Sequence, residues 1–249
     1  MSTFPVRFTV CTYNIWTSTR WPERRQALQR FAQHTLPDIL CLQELIADSR
    51  AALDEVLFAT HQRVDDPFEG WTREGNLYWN TNLFEIVEHG AEQIGIWEEF
   101  RRMFWARLRV KDGSNRTILV ATAHFTWSGN PIELETTNNV RVPQSRAAVE
   151  ALNRLQQPDE PQLFMGDLND AGRPIAILRE GGFTDCFNGM GRYSVATYPA
   201  TPTANGPQQT IDWLMHRGAL RPMSAGVIDF YDGDLAPSDH KPVLATYGF

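Results

Sequence analysis

Short apolar runs along this chain repeatedly stop at a carboxylate, an amide or a histidine, and that pattern limits the possible folds more than any other feature. Asn14 closes a run rich in β-branched and aromatic residues, and Glu44 follows Ile39-Leu-Cys-Leu-Gln43. His124 follows Leu119-Val-Ala-Thr-Ala123, and Asp167 and Asn169 follow Leu163-Phe-Met-Gly166. Asp212 interrupts Ile211-Asp-Trp-Leu214, and Asp239-His240 opens the last run. Runs of this length and composition read as buried strands. In layered α/β folds, the strand ends beside loops are where binding groups gather.

Strands are predicted over 6–14, 39–43, 76–80, 84–91, 104–110, 116–124, 161–166, 210–216 and 240–247. Asp112-Gly113 marks a turn between two of them. Helices are predicted over 22–36, with Pro22 in the first turn, over 48–60, over 143–155 behind a cap at Asn139, and over 173–180, stopped by Gly181-Gly182. This mixture favours an α/β fold with sheets covered by helices. Residues 126–138 and 188–209 resist assignment; both are long and rich in Gly, Pro, Asn and Thr, the character of substrate loops.

Of the 249 residues, 42% are hydrophobic and 21% charged, which excludes a disordered chain. A net charge of −7 argues against a protein that coats nucleic acid, although a nuclease needs only a local basic rim. The basic residues are nearly all arginine, Lys111 and Lys241 being the only lysines. Cys11, Cys41 and Cys186 form no metal-binding pair and read as buried thiols. Met1 to Phe8 lack a basic stretch followed by an apolar one, and no run approaches the ~18 residues of a membrane span. A cytoplasmic protein without a transmembrane segment is the expectation.

Each polar residue at a strand end also has an ordinary explanation as a cap, a turn or a hydrogen-bonded structural group. Together they supply the hard oxygen ligands, acids and bases of Mg²⁺-assisted phosphoryl chemistry. Thiols are absent from the set, which favours magnesium or manganese over zinc.

The segments Thr12-Tyr-Asn-Ile-Trp16, Pro37-Asp-Ile-Leu-Cys-Leu-Gln-Glu44, Thr122-Ala-His-Phe125, Met165-Gly-Asp-Leu-Asn169, Thr210-Ile-Asp212 and Pro237-Ser-Asp-His240 resemble, in order, the motifs of the endonuclease/exonuclease/phosphatase superfamily. The resemblance implies a DNase-I-like four-layer α/β sandwich: two packed, mostly antiparallel sheets flanked by helices, forming one domain over residues 1–249. It further implies a metal-dependent phosphoric ester hydrolase. Carried over residue by residue, Glu44 is the main Mg²⁺ ligand, Asn14 lies beside it, and Asp239 is a further carboxylate of the metal site. Asp167 orients or deprotonates the attacking water, and Asn169 holds that water or a phosphate oxygen. His240, oriented by Asp212, donates to the phosphate, and His124 contacts the other oxygens. Mn²⁺ is the possible substitute for Mg²⁺.

The branch of the family is less sharply marked. His124 stands where abasic-site nucleases usually carry tyrosine, and Ile15-Trp16 departs from the acidic residue several nuclease branches place there. The stretches His124-Phe-Thr-Trp-Ser128 and Arg141-Val-Pro-Gln-Ser-Arg146 resemble poly(A) deadenylases, and to a lesser degree tyrosyl-DNA phosphodiesterases and neutral sphingomyelinases. The expected substrate is a phosphodiester, with single-stranded or damaged nucleic acid as a candidate. The alternatives are a phosphatase or phospholipase-type enzyme on a small or lipid phosphoester, and a non-catalytic binding module. Glu74 and Asn76 are both candidates for the partner of His124, Arg102 is a candidate phosphate contact, and Trp16, Trp71 and Trp127 are candidates for stacking nucleobases. The oligomeric state is left open.

Overall fold

The computed structural model describes residues 6–249. Part of the N-terminal stretch read for a secretory signal, residues 1–5, lies outside the described residues. In chain order the elements are β1 (Arg7–Asn14), α1 (Arg25–Thr35), β2 (Ile39–Gln43), α2 (Ala47–Leu57), β3 (His61–Arg63), α3 (Gly70–Arg73), β4 (Asn76–Asn80) and β5 (Phe84–Glu92). They continue with β6 (Met103–Val110), β7 (Thr117–Thr122), α4 (Pro131–Thr136), α5 (Arg141–Leu155), β8 (Gln162–Asp167) and α6 (Arg173–Glu180). The last are β9 (Thr184–Asp185), β10 (Asp212–Arg217), β11 (Arg221–Val227) and β12 (Val243–Gly248).

The strands form two six-stranded sheets, ordered β11-β12-β1-β2-β4-β3 and β5-β6-β7-β8-β10-β9. Each has one parallel pair at its centre, β1 with β2 and β7 with β8, and antiparallel pairs elsewhere. A parallel pair needs a crossover connection, and α1 supplies one while α4 and α5 supply the other. The expected mostly antiparallel sheets are therefore present.

Three apolar clusters fix the layers. One joins the inner faces of the two sheets through Val10, Ile39, Leu77, Phe104, Val120 and Leu163. A second packs Ala148, Leu152, Ile175 and Leu178 of α5 and α6 onto the second sheet. A third packs Leu28, Phe31 and Leu53 of α1 and α2 onto the first. Alternation along a strand explains the division: Val10 faces the other sheet while Cys11 faces the helices. Cys11, Cys41 and Cys186 are all buried and free.

The elements depart from the sequence reading at several points, the second helix ending at Leu57 rather than at residue 60, and four of these departures have a local reason. Helix α1 begins at Arg25 rather than Pro22, because residues 17–24 form turns, with Trp16, Thr17 and Arg20 in the left-handed region. The last strand begins at Val243 rather than His240, because the backbone at Asp239 and Lys241 bonds to Ala200 and Thr197 instead of to the ladder. Helix α5 begins at Arg141, whose N–H donates to the Asn139 side chain. The unassigned stretch 126–138 contains α4, capped by Asn130, whose Oδ1 accepts from Ile132 and Glu133.

Candidate active site

The predicted residues meet where the central strands of both sheets end. Asn14 is the last residue of β1 and Asp167 the last of β8, while Glu44 and His124 lie just past β2 and β7. Asp212 opens β10, directly opposite Asp167 in the antiparallel register. Asp239 and His240 lie on the loop before β12. Glu44 and Asn169 both adopt positive φ, 57° and 51°, so the chain turns sharply once each strand has delivered its polar residue.

Asn14 ties the two sheets together. Its Nδ2 donates to Glu44 Oε1 and to Asp167 Oδ2, both at 2.9 Å. Its Oδ1 accepts from the Trp16 N–H at 3.0 Å, which fixes the orientation of the amide.

Two histidine–carboxylate pairs flank Asp167. His240 Nδ1 lies 2.9 Å from Asp212 Oδ2, and His124 Nδ1 lies 2.8 Å from Glu74 Oε1. With Nδ1 held in this way, each ring turns its Nε2 toward the same oxygen: Asp167 Oδ2 is 3.7 Å from His240 Nε2 and 3.5 Å from His124 Nε2. The second oxygen of Asp167 accepts from the Asn169 N–H at 3.0 Å, and Asn169 Nδ2 donates to the Phe125 carbonyl at 3.0 Å.

Burial acts on all these groups, and the neighbouring charges decide the outcome. Desolvation lowers the pKa of His240, but Asp212 and Asp167 outweigh it and push it up to about 10. His124 is also raised: burial and Arg101 lower it, and Glu74 and Asp167 more than offset them. Burial raises the Glu74 carboxyl, yet His124 and Arg101 hold it below its ordinary range. Asp167 is raised, chiefly by burial and next by Asp212, against the opposing charges of His240 and His124. Asp239 is pushed up to about 6 by burial, with the charge of Glu44 adding to the shift.

The donor set suits a divalent cation. Glu44, His124 and Asp167 each offer a ligand atom within 4.8 Å of the others, as do Asp167, Asp212 and His240. Glu44 keeps its side chain 21% exposed, so it can be reached from solvent. Glu44 also repels the charge on Asp239, which leaves negative charge to be neutralised.

The structure answers one open choice and adds a group. Glu74, on the turn between α3 and β4, is the partner of His124, whereas Asn76 donates to the Val64 and Trp71 carbonyls. Arg101 is buried where the sequence reading pointed to Arg102. It lies 3.6 Å from Glu74 Oε1 and donates to the His124 carbonyl at 3.0 Å. Arg102 instead lies over the Phe68 ring. Two adjacent arginines before a buried strand carry no sequence signal that tells which one turns inward. Trp71 belongs to the inter-sheet core, and Trp127 is exposed.

The sequence model of the Endonuclease/Exonuclease/phosphatase family matches residues 11–240. The chain belongs to the endonuclease/exonuclease/phosphatase family. It is thus a phosphoric ester hydrolase, in a family whose enzymes typically depend on divalent metals. No curated protein matches the sequence. Among solved structures, the chain is similar to D. rerio TDP2 humanized by 14 mutations, with a TM-score of 0.81 and 17% identity over 98% of this chain and 99% of that one. It is similar to a mannosyl-6-phosphatase of Bacteroides thetaiotaomicron, with a TM-score of 0.79 and 19% identity over 97% and 100%. It is also similar to truncated Caenorhabditis elegans TDP2, at 0.77 and 17% over 98% of each chain. These likenesses establish the DNase-I-like fold. Among the described residues no helix is long and apolar enough to cross a membrane.

Proposed function

We propose that this family member is a Mg²⁺-dependent phosphodiesterase acting as one domain, with Mn²⁺ as a working substitute. The observation that carries the reading is the convergence of two carboxylate-backed imidazoles on Asp167, at 3.5 and 3.7 Å. Such a site presents two N–H donors and one proton acceptor to a single tetrahedral group.

His240, charged at neutral pH, donates from Nε2 to a phosphoryl oxygen while Asp212 holds its Nδ1. His124, held by Glu74, donates to a second oxygen. Fixed donors of this kind stabilise the negative charge that grows during in-line attack. Asp167 takes the proton of the attacking water, and burial has raised its proton affinity for that task. Asn169 steadies the water or a phosphoryl oxygen. Glu44 and Asp239 would hold the divalent cation, which when bound neutralises charge at the phosphoryl group, and Asn14 lies beside them, orienting Glu44 through its Nδ2.

A nucleic-acid substrate has support from D. rerio TDP2, a structural neighbour complexed with a single-strand DNA product. The mannosyl-6-phosphatase neighbour favours a second reading, a phosphomonoesterase. Three buried free thiols fit a reducing, cytoplasmic setting. The test compares bis(p-nitrophenyl) phosphate with p-nitrophenyl phosphate in Mg²⁺, in Mn²⁺ and in excess EDTA. The diester should turn over faster than the monoester, and EDTA should stop both. A faster monoester would select the second reading, and turnover in EDTA would refute the metal dependence.

A further inference from the structure

Arg24 is fully buried, one residue before α1. A buried arginine ordinarily faces a carboxylate, because charge out of water needs compensation. Here all five hydrogen bonds of the guanidinium end on backbone carbonyls. Nε donates to Thr19 at 2.7 Å, Nη1 to Ile15 at 2.9 Å and to Pro237, and Nη2 to Trp16 at 2.9 Å and Thr17 at 3.2 Å. Those bonds use every N–H of the fork. The Trp16 and Trp21 rings cover it, 5.1 and 5.8 Å from its central carbon.

The carbonyls belong to two separate loops. Residues 15–19 follow Asn14, and their carbonyls converge on one point because Trp16 and Thr17 take left-handed φ values of 61° and 34°. The same Trp16 peptide donates its N–H to Asn14 Oδ1, which aims Asn14 Nδ2 at Glu44 and Asp167. Pro237 belongs to the loop that carries Asp239 and His240, and the Ser238 hydroxyl accepts from the His240 N–H at 3.2 Å.

We infer that Arg24 is a positioning residue that locks the loop after Asn14 to the loop bearing Asp239 and His240, holding the two ends of the phosphoester centre in register. The catalytic part of this inference rests on the proposed phosphodiesterase reading; the clamp itself does not. Lysine keeps the charge, but its single ammonium cannot span carbonyls on both loops.

Two measurements on Arg24→Lys test it. Hydrogen–deuterium exchange should rise together in residues 15–21 and 235–241, while β1, α1 and β12 stay protected. Exchange confined to one loop, or spread through α1 and the sheet, would overturn the clamp. This readout needs no activity, so it decides the clamp even if the protein hydrolyses nothing and the functional reading fails. With bis(p-nitrophenyl) phosphate and Mn²⁺, Arg24→Lys should lower kcat ~10²-fold with KM changed by less than about threefold, as misplaced reacting groups do. In a His240→Ala background the same substitution should cost at least about threefold less than in wild type, because one of the groups it positions is gone. Equal losses in both backgrounds would assign Arg24 a general structural role and sink the inference.

Discussion

His124 and His240 are buried much as His61 and His216 are, yet their pKa values are raised where those of His61 and His216 are lowered. Burial lowers all four, so the partners decide. His61 bonds to the Pro37 carbonyl and the Thr60 hydroxyl, and His216 to the Tyr247 hydroxyl, whereas the two site histidines bond to carboxylates. The sign has a consequence for His240. Its folded pKa of about 10 lies above the ordinary 6.5, so the stability its pairing contributes is full below 6.5 and is lost as pH rises through 10. Asp212→Asn should return the ring toward its ordinary value. Imidazole proton NMR should then find His240 titrating more than one unit lower, and the alkaline limb of kcat/KM should move down with it. An unmoved limb would remove His240⁺ from the mechanism. Removing a preorganised donor typically costs ~10²–10³ in rate, and a comparable loss in kcat/KM is expected above the variant's new pKa.

Gly166 illustrates what an element demands of the sequence. It has φ +145°, and a Cβ placed on it would lie 1.9 Å from the Ala123 carbonyl oxygen. The close approach lets β7 and β8 run side by side just before they deliver His124 and Asp167. Gly166→Ala should therefore destabilise the fold by more than about 2 kcal/mol and lower activity in the fraction that remains folded. Urea denaturation and kinetics check both, and a stability within about 0.5 kcal/mol of wild type would refute the packing argument. At this scale the buried central strands were legible, because apolar runs such as 39–43 and 163–166 mark strands covered on both faces. Strands β3, β9 and β11 were not, β9 having only two residues. β3 has three residues, and β11 is a half-exposed edge strand with Pro222 and a bulge, so neither carries an apolar run. The polar strand ends were legible for a related reason: a carboxylate directly after a buried run is conspicuous. Arg24, Glu74 and Arg101 were harder to read, because each acts through a turn whose geometry leaves no periodic trace.

Across the whole molecule, the face-to-face packing of the sheets brings the two halves of the site together. Phe104 of β6 lies in that interface, 4.8 Å from the Trp71 ring, and a Cβ at Gly70 or Gly75 would reach within 2.8 Å of it. It therefore buttresses the segment that carries Glu74. Phe104→Ala should cost about 3–5 kcal/mol and, if folded, should lower kcat through His124. Chemical denaturation would show a much smaller loss if the Phe104 contacts contributed little. Sequence pattern found the four longer helices and the central strands, but not α3 or α4, and the pairing of one sheet against the other came only from the family resemblance, since strand order leaves no local signal. The proposed mechanism has Asp167, His124 and His240 acting on one phosphoryl group. The most direct measurement is bis(p-nitrophenyl) phosphate hydrolysis with Mn²⁺ by wild type, Asp167→Ala, His124→Ala and His240→Ala, each confirmed folded by circular dichroism. Wild type should show metal-dependent turnover, and every variant should lose at least ~10²-fold. Near-normal turnover in any one of them would contradict that mechanism.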